Sequence, residues 1–210
     1  MKNFKIEQNR FLKRDIKGFY HHDYAGGEWR NQGTIESYIV TLKNTFENET
    51  DAKLKTAIQK IKGILSVDLP QVLRDSGLIN PTVVVVPRAK VENNYIPKQL
   101  LFKQTISDFI NSSENFINGT NFIVRHTNTF TTHLRYANVQ NDGQTPNQHG
   151  PGITNATCHI SANVRGRDIL LIDDLYTRTV NVDEDAIQAL LDYGANNVTF
   201  YSIGKTISRY

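Results

Sequence analysis

Residues 82 to 87, TVVVVP, and 168 to 173, DILLID, each carry four aliphatic side chains in succession with no polar alternation. A strand with one wet face alternates, so these runs predict strands covered on both sides, as in a parallel sheet with helices above and below. NFIVRH (121 to 126) and NVTFYSI (197 to 203) read as two further strands. Helices fall between them. Pro97 opens one whose Leu100, Leu101, Thr105, Ile106 and Phe109 share a face, and Val182 to Tyr193 is another, with Ile187, Leu190 and Leu191 inward and Gly194 at C′. Strand, helix and strand in this order predict an α/β fold with right-handed crossovers.

The first eighty residues read differently. Residues 18 to 33 mix aromatic residues with four glycines and predict a structured loop. Thr34 to Phe46 is expected to be helical. Leu54, Ala57, Ile58, Ile61 and Leu65 make one apolar helical face, and Thr50 with Asp51 gives that helix a capped, negatively charged start. A short turn of helix after Pro70 should stop at Gly77. The expected division is thus an N-terminal helical extension over 1–80, serving as hood or lid, and an α/β core over 81–210.

Composition removes several classes of function. Lys and Arg total 24 against 21 for Asp and Glu, a net charge of +3, which is too small for a dedicated nucleic-acid binder. The single cysteine, Cys158, excludes an intrachain disulfide and a Cys-rich zinc module, so a reducing cytoplasmic compartment is expected. No run approaches the ~18 apolar residues of a membrane helix. The charged opening residues lack the apolar stretch of a secretory signal.

The most informative segment is ILLIDDLYTRTVNVDEDAIQALLDYGANNVTFYSIGKT (169 to 206). A buried strand ends in two carboxylates, Asp173 and Asp174, passes through a hydroxyl-rich turn and enters a helix. In an open parallel sheet, ligands sit outside the carboxyl ends of the strands, beside helix N-termini. Loop amides there suit a phosphate, while ionised carboxylates accept hydrogen bonds from a sugar diol or hold Mg²⁺ through water. The plainer reading is that Asp often ends strands and begins turns. Asp183, Glu184 and Asp185 stabilise an empty helix start by roughly 0.3–1 kcal/mol each, and they would repel a phosphate unless turned outward.

Other candidates surround this segment. Arg88, Ala89 and Lys90 follow the first strand and suit an anion; the alternative is ordinary surface charge. Arg125, His126, His133 and Arg135 precede residues 138 to 157, a stretch rich in Asn, Gln, Gly and Pro that reads as a functional loop or a surface insertion. His21, His22 and Asp23 form a weak metal candidate, ranked below packing. Tyr20, Tyr24 and Trp29 suit either base stacking or packing. Cys158 is expected to be a small buried side chain.

Four hydrophobic residues, two acids and a Thr-rich turn into a helix resemble the phosphoribosyl pyrophosphate (PRPP) motif of type I phosphoribosyltransferases. The helix and the following GANNVTFYSIGKT are most similar to the branch containing competence-protein ComF and amidophosphoribosyltransferase. More weakly, the resemblance covers residues 82 to 206, with VVVVPRAK in place of the pyrophosphate loop and residues 138 to 157 in place of a mobile lid. The turn departs from the usual Asp-Asp-x-x-Thr-Thr-Gly-x-Thr: Arg178 stands for a threonine, Thr179 for the glycine and Asn181 for the last threonine. Losing that glycine removes a close backbone approach to phosphate. Asn181 retains the ability to cap the helix, and Arg178 supplies a fork for phosphate.

The resemblance implies a type I phosphoribosyltransferase-like sheet and transfer of a phosphoribosyl group from PRPP, with Mg²⁺, to a nitrogen acceptor such as a nucleobase or ammonia. Asp173 and Asp174 would hold the ribose hydroxyls and Mg²⁺ through water. Tyr176, Thr177, Arg178, Thr179, Val180 and Asn181 would hold the 5′-phosphate. Arg88, Ala89 and Lys90 would face pyrophosphate, with Arg125, His133 and Arg135 as lid or anion contacts. The altered turn carries the alternative of a degenerate phosphoribosyltransferase fold acting as a nucleotide-binding sensor or partner module linked to DNA processing or defence. The acceptor and the oligomeric state, a homodimer included, stay open.

Overall fold

The structure is a computed structural model that describes residues 1–129 and 152–207. Six strands form a mixed, mostly parallel sheet: β1 (Lys2–Ile6), β2 (Ile16–Tyr24), β3 (Thr82–Val85), β4 (Ile117–Asn118), β7 (Asp168–Tyr176) and β8 (Asn197–Thr206), in the order β1-β2-β8-β7-β3-β4. Only the edge strand β1 runs antiparallel to its neighbour. Helices α1 (Ile35–Lys43), α2 (Asp51–Ser76) and α3 (Leu101–Asn111) cover one face, and α4 (Val182–Asp192) covers the other. The fold class is α/β, as the two aliphatic runs demand.

The tetravaline run shows why. Val83 and Val85 pack under α2 and α3, while Val84 and Val86 pack on the opposite side with Ile187 and Leu190 of α4. Leu170 and Ile172 divide from Ile169 and Leu171 in the same way. With both faces dry, polar alternation has no place in either strand.

Four expectations need correction. Residues 16–24 are not loop: they form β2, parallel to β8, so the N-terminal part of the chain contributes to the sheet itself. Its alternation is disguised by Gly18, where the Phe4 ring lies so close that a Cβ would sit 2.6 Å from it. Second, NFIVRH does not join the main sheet. Its strand β5 (Ile123–Arg125) pairs antiparallel with β6 (Cys158–Ile160) in a two-stranded ribbon, and Val124 is 37% exposed. Third, Pro70 does not start a new turn, because α2 runs through it to Ser76. Pro70 lies on the exposed side while Leu65, Leu69 and Val72 anchor the helix to the sheet on both sides of it. Fourth, the strand after Arg167 does not end at Asp173 but continues to Tyr176.

Of the other helices, α1 stops at Lys43, short of the expected Phe46. Pro97 opens a 3₁₀ turn after which α3 starts at Leu101, while caps are present at three helix ends. Thr34 Oγ1 accepts from Ser37 N and Thr50 Oγ1 from Lys53 N as N-caps, and Gly194 takes the left-handed φ of 92° beyond α4. Among the described residues no helix is long and apolar enough to cross a membrane.

Candidate functional site

β3 and β7 are parallel neighbours whose chain continuations part company: after β3 the chain enters α3 on one face, and after β7 it enters α4 on the other. In open α/β sheets the strand ends at such a divergence are the usual ligand position. Asp173 and Asp174 stand there. Asp173 Oδ1 accepts a hydrogen bond from Asp174 N at 2.7 Å, so the two side chains are set by one local turn of the backbone.

Each carboxylate is already engaged, and on opposite faces. Asp174 Oδ1 lies 2.9 Å from Nζ of Lys43, the last residue of α1. Burial pulls the Lys43 ammonium toward neutrality, but the charges of Asp174 and Asp173 outweigh it and raise its pKa. Asp173 instead hydrogen-bonds Asp183 in the first turn of α4. Burial, reinforced by the Asp174 charge, pushes Asp173 up to about 7, and burial with the Asp173 charge pushes Asp183 well above the carboxylate range. Two carboxyl groups so placed share a proton.

The start of α4 is thus turned inward. Asp183 and Glu184 are buried, not outward-facing; Glu184 accepts from Tyr176 Oη at 2.8 Å, and burial raises its pKa. Asp183 Oδ1 and Glu184 Oε2 have no hydrogen-bond partner among the described residues. Asp185 is raised to about 6 by burial and the charge of Glu184, although Ile153 N donates to it. A Cβ on Gly152 would lie 1.7 Å from Asp185 Oδ2, so only glycine permits this approach.

The predicted phosphate turn fares unevenly. Tyr176 belongs to β7, is buried, and its hydroxyl is taken by Glu184, so it is not a loop contact. Thr177, Thr179 and Val180 do lie in the turn, closed by a 3.0 Å hydrogen bond from Val180 N to Thr177 O. Arg178 is 79% exposed and pairs with Glu7 at 2.7 Å, so its guanidinium is already engaged by a carboxylate. Asn181 adopts φ 60° and makes no side-chain cap; its amide donates to Thr179 O at 3.4 Å instead. The expected cap is therefore absent because the left-handed backbone turns that side chain off the helix axis.

The basic residues after β3 are structural ties as well. Arg88 Nη1 donates to Lys43 O at 2.6 Å and to Gln99 O at 2.5 Å, and the guanidinium lies 4.4 Å over the Tyr95 ring. It meets the negative end of the α1 dipole and so fixes the helix that presents Lys43. Ala89 O accepts from Thr129 N at 2.7 Å, and Lys90 N donates to Tyr95 Oη at 3.0 Å. Arg125 is buried, donates from Nε to Arg88 O at 2.7 Å, and has its pKa lowered by that burial. His133, Arg135 and most of the proposed lid fall outside the described residues; of residues 138 to 157, only 152–157 are seen.

Among the described residues no three His, Cys, Asp or Glu side chains converge on a metal position. His21 bonds Asp68, while Asp23 pairs with Lys2, so the three residues of that metal candidate do not cooperate. Cys158 is buried and its thiol pushed up by that burial. Sequence reasoning missed Lys43 and the inward role of Asp183 and Glu184. A lysine in a last helical turn carries no local sign of its partner, and first-turn acids read first as dipole complements. Tyr24 is half-buried beside α1 and Trp29 is 40% exposed. No protein-family model matches this chain, and no curated protein matches it.

Proposed function

We propose that this chain binds a phosphorylated ribose in the crevice between β3 and β7, as a type I phosphoribosyltransferase-like protein, and transfers the phosphoribosyl group of PRPP to a nitrogen acceptor. The observation that supports this reading most is the adjacent pair Asp173 and Asp174 at the point where the continuations of β3 and β7 diverge. Two carboxylates there suit the 2- and 3-hydroxyls of a ribose. Lys43 must leave Asp174 when the sugar enters, and its ammonium then stands within reach of the pyrophosphate, a role the side chain of Arg88, held by Lys43 O and Gln99 O, fills less well. Nucleophilic attack at the anomeric carbon breaks the bond to pyrophosphate through an oxocarbenium-like transition state, which Asp174, once released by Lys43, would stabilise by charge.

Mg²⁺ does not fit as a resident ion. Asp174 is neutralised by Lys43, Asp173 shares a proton with Asp183, and no third ligand converges among the described residues. The ion belongs in this reading with the incoming diphosphate.

A second reading rests on a specific feature. With Asp183 and Glu184 buried at the head of α4, the usual phosphate position carries negative or protonated oxygen in place of open amides. That favours a nucleotide-binding module without turnover. Calorimetry with PRPP and Mg²⁺ tests the binding that both share: the Asp173→Asn/Asp174→Asn double variant should lose it while still unfolding cooperatively, at a lower temperature because Lys43 loses its partner. Pyrophosphate release on adding nucleobases or ammonia separates the two, since the transferase releases it and the module does not. Unchanged PRPP affinity in the double variant removes both.

A further inference from the structure

A second polar network lies two strands across the sheet from the acid pair. Asp68, in the middle of α2, is 1% exposed, and its Oδ2 accepts from Tyr201 Oη on β8 at 2.9 Å and lies 2.9 Å from His21 Nδ1 on β2. A carboxylate that takes the Nδ1 proton of an imidazole fixes its tautomer: Nδ1 donates, and Nε2 carries the lone pair. The His21 side chain is 29% exposed although its partner is enclosed. Among the described residues no partner of Nε2 is found, and the ring lines a cleft of about 520 Å³ together with Gln59, Lys60, Gly63, Ile64 and Val67.

Packing does not account for this cleft. Gly63 sits inside a 26-residue helix, where glycine costs about 1 kcal/mol relative to alanine. Its φ is not positive, and an added Cβ would meet nothing within 4 Å among the described residues, so neither backbone strain nor a close approach there requires it. Its effect is to leave room beside His21. None of the lining residues is acidic, and Lys60 is exposed and enters no ion pair among the described residues, so the cleft favours an anion.

We propose that His21 Nε2 is a nucleophile that accepts a phosphoryl group from a small donor of the phosphoramidate or acyl phosphate class. The Nε2 lone pair attacks phosphorus, the P–N or P–O bond breaks, and its electron pair leaves with the amine or carboxylate. The ring, still carrying its Nδ1 proton, becomes cationic against Asp68, and the phosphoryl oxygens meet Lys60 and the Gln59 amide. Charges then alternate from Asp68 through the ring and the phosphoryl group to Lys60, which is the arrangement these four side chains best stabilise.

The test is incubation of the full chain with phosphoramidate, followed by digestion at alkaline pH and localisation by mass spectrometry. Expected is one acid-labile phosphoryl group on His21, absent from His21→Gln. Its rate of formation should fall about tenfold in Asp68→Asn, as for loss of a hydrogen bond to a charged group, and severalfold in Lys60→Ala. Lys60 is exposed, so that variant keeps the test alive if Asp68→Asn fails to fold. An unmodified His21, labelling no faster than at His126, or an unchanged rate in Lys60→Ala would each overturn the proposal. His126 is the internal reference because its ring bonds Thr127 Oγ1 and Asn155 O and no carboxylate among the described residues.

Discussion

Lys43 Nζ and Asp174 Oδ1 stand 2.9 Å apart, joining the end of α1 to the end of β7 across the mouth of the candidate crevice. Both side chains are mostly enclosed, so the pair sits between an exposed contact and a fully buried one. Removing one partner leaves the other charge poorly solvated. Lys43→Met should therefore destabilise the protein by about 1–3 kcal/mol, below the cost of breaking a fully buried pair. Combining it with Asp174→Asn should restore most of that loss. Chemical denaturation of the two single variants and the double variant measures the coupling.

The shared proton of Asp173 and Asp183 predicts an inverted pH response. Both have folded pKa values raised above the unfolded range, Asp173 to about 7, and Asp185 follows to about 6. Between the unfolded and folded values the native state binds more protons than the unfolded one, so stability falls as pH rises through that interval. Scanning calorimetry should show the melting temperature declining from about pH 5 to about pH 8. Asp183→Asn should flatten the decline, and a melting temperature that rises over this interval in the native chain would contradict the pairing.

Tyr176 Oη donates to the buried carboxylate of Glu184 at 2.8 Å, beside the residue's own backbone N–H. Tyr176→Phe removes its side-chain donor and should cost about 1–3 kcal/mol. Tyr176→Phe combined with Glu184→Leu, which removes the stranded acid, should recover part of it. Equilibrium unfolding in urea checks both.

Gly152 meets Asp185 so closely that its replacement has no room. Gly152→Ala places a methyl group 1.7 Å from Asp185 Oδ2, forcing the carboxylate aside and with it the hydrogen bond from Ile153 N. The expected loss is about 1–3 kcal/mol, as for other overpacked sites. Asp185→Ala in the same chain should relieve the clash, and thermal melting reads both effects.

The legible and illegible parts of this molecule divide by mechanism. β3, β7 and β8 are written as aliphatic runs, and α2 and α4 as periodic stripes with caps, because burial on two faces or one leaves a pattern within a few residues. β2 escaped because its half-buried end, His21 to Tyr24, is polar and Gly18 interrupts its alternation. The ribbon of β5 and β6 escaped because pairing across a long intervening segment leaves no local mark. The acid pair itself was readable; its partners were not, since Lys43 and Asp183 are brought to it only by the way α1 and α4 lie on the sheet.

The parallel pairing of β2 with β8 sets Gly18 beside Phe200, at nearly the full span of the described chain. During synthesis, β2 emerges long before the strand it needs. Until β8 is made, Phe19 and Tyr20 have no neighbour on that side, and the nascent chain carries an unsatisfied β-edge. Topologies closed by such distant contacts fold slowly, and waiting edges of this kind are the ones that recruit chaperones or stick to one another. The two lysines on β1, Lys2 and Lys5, put charge on the outer strand of that early hairpin, which discourages such association while the hairpin waits.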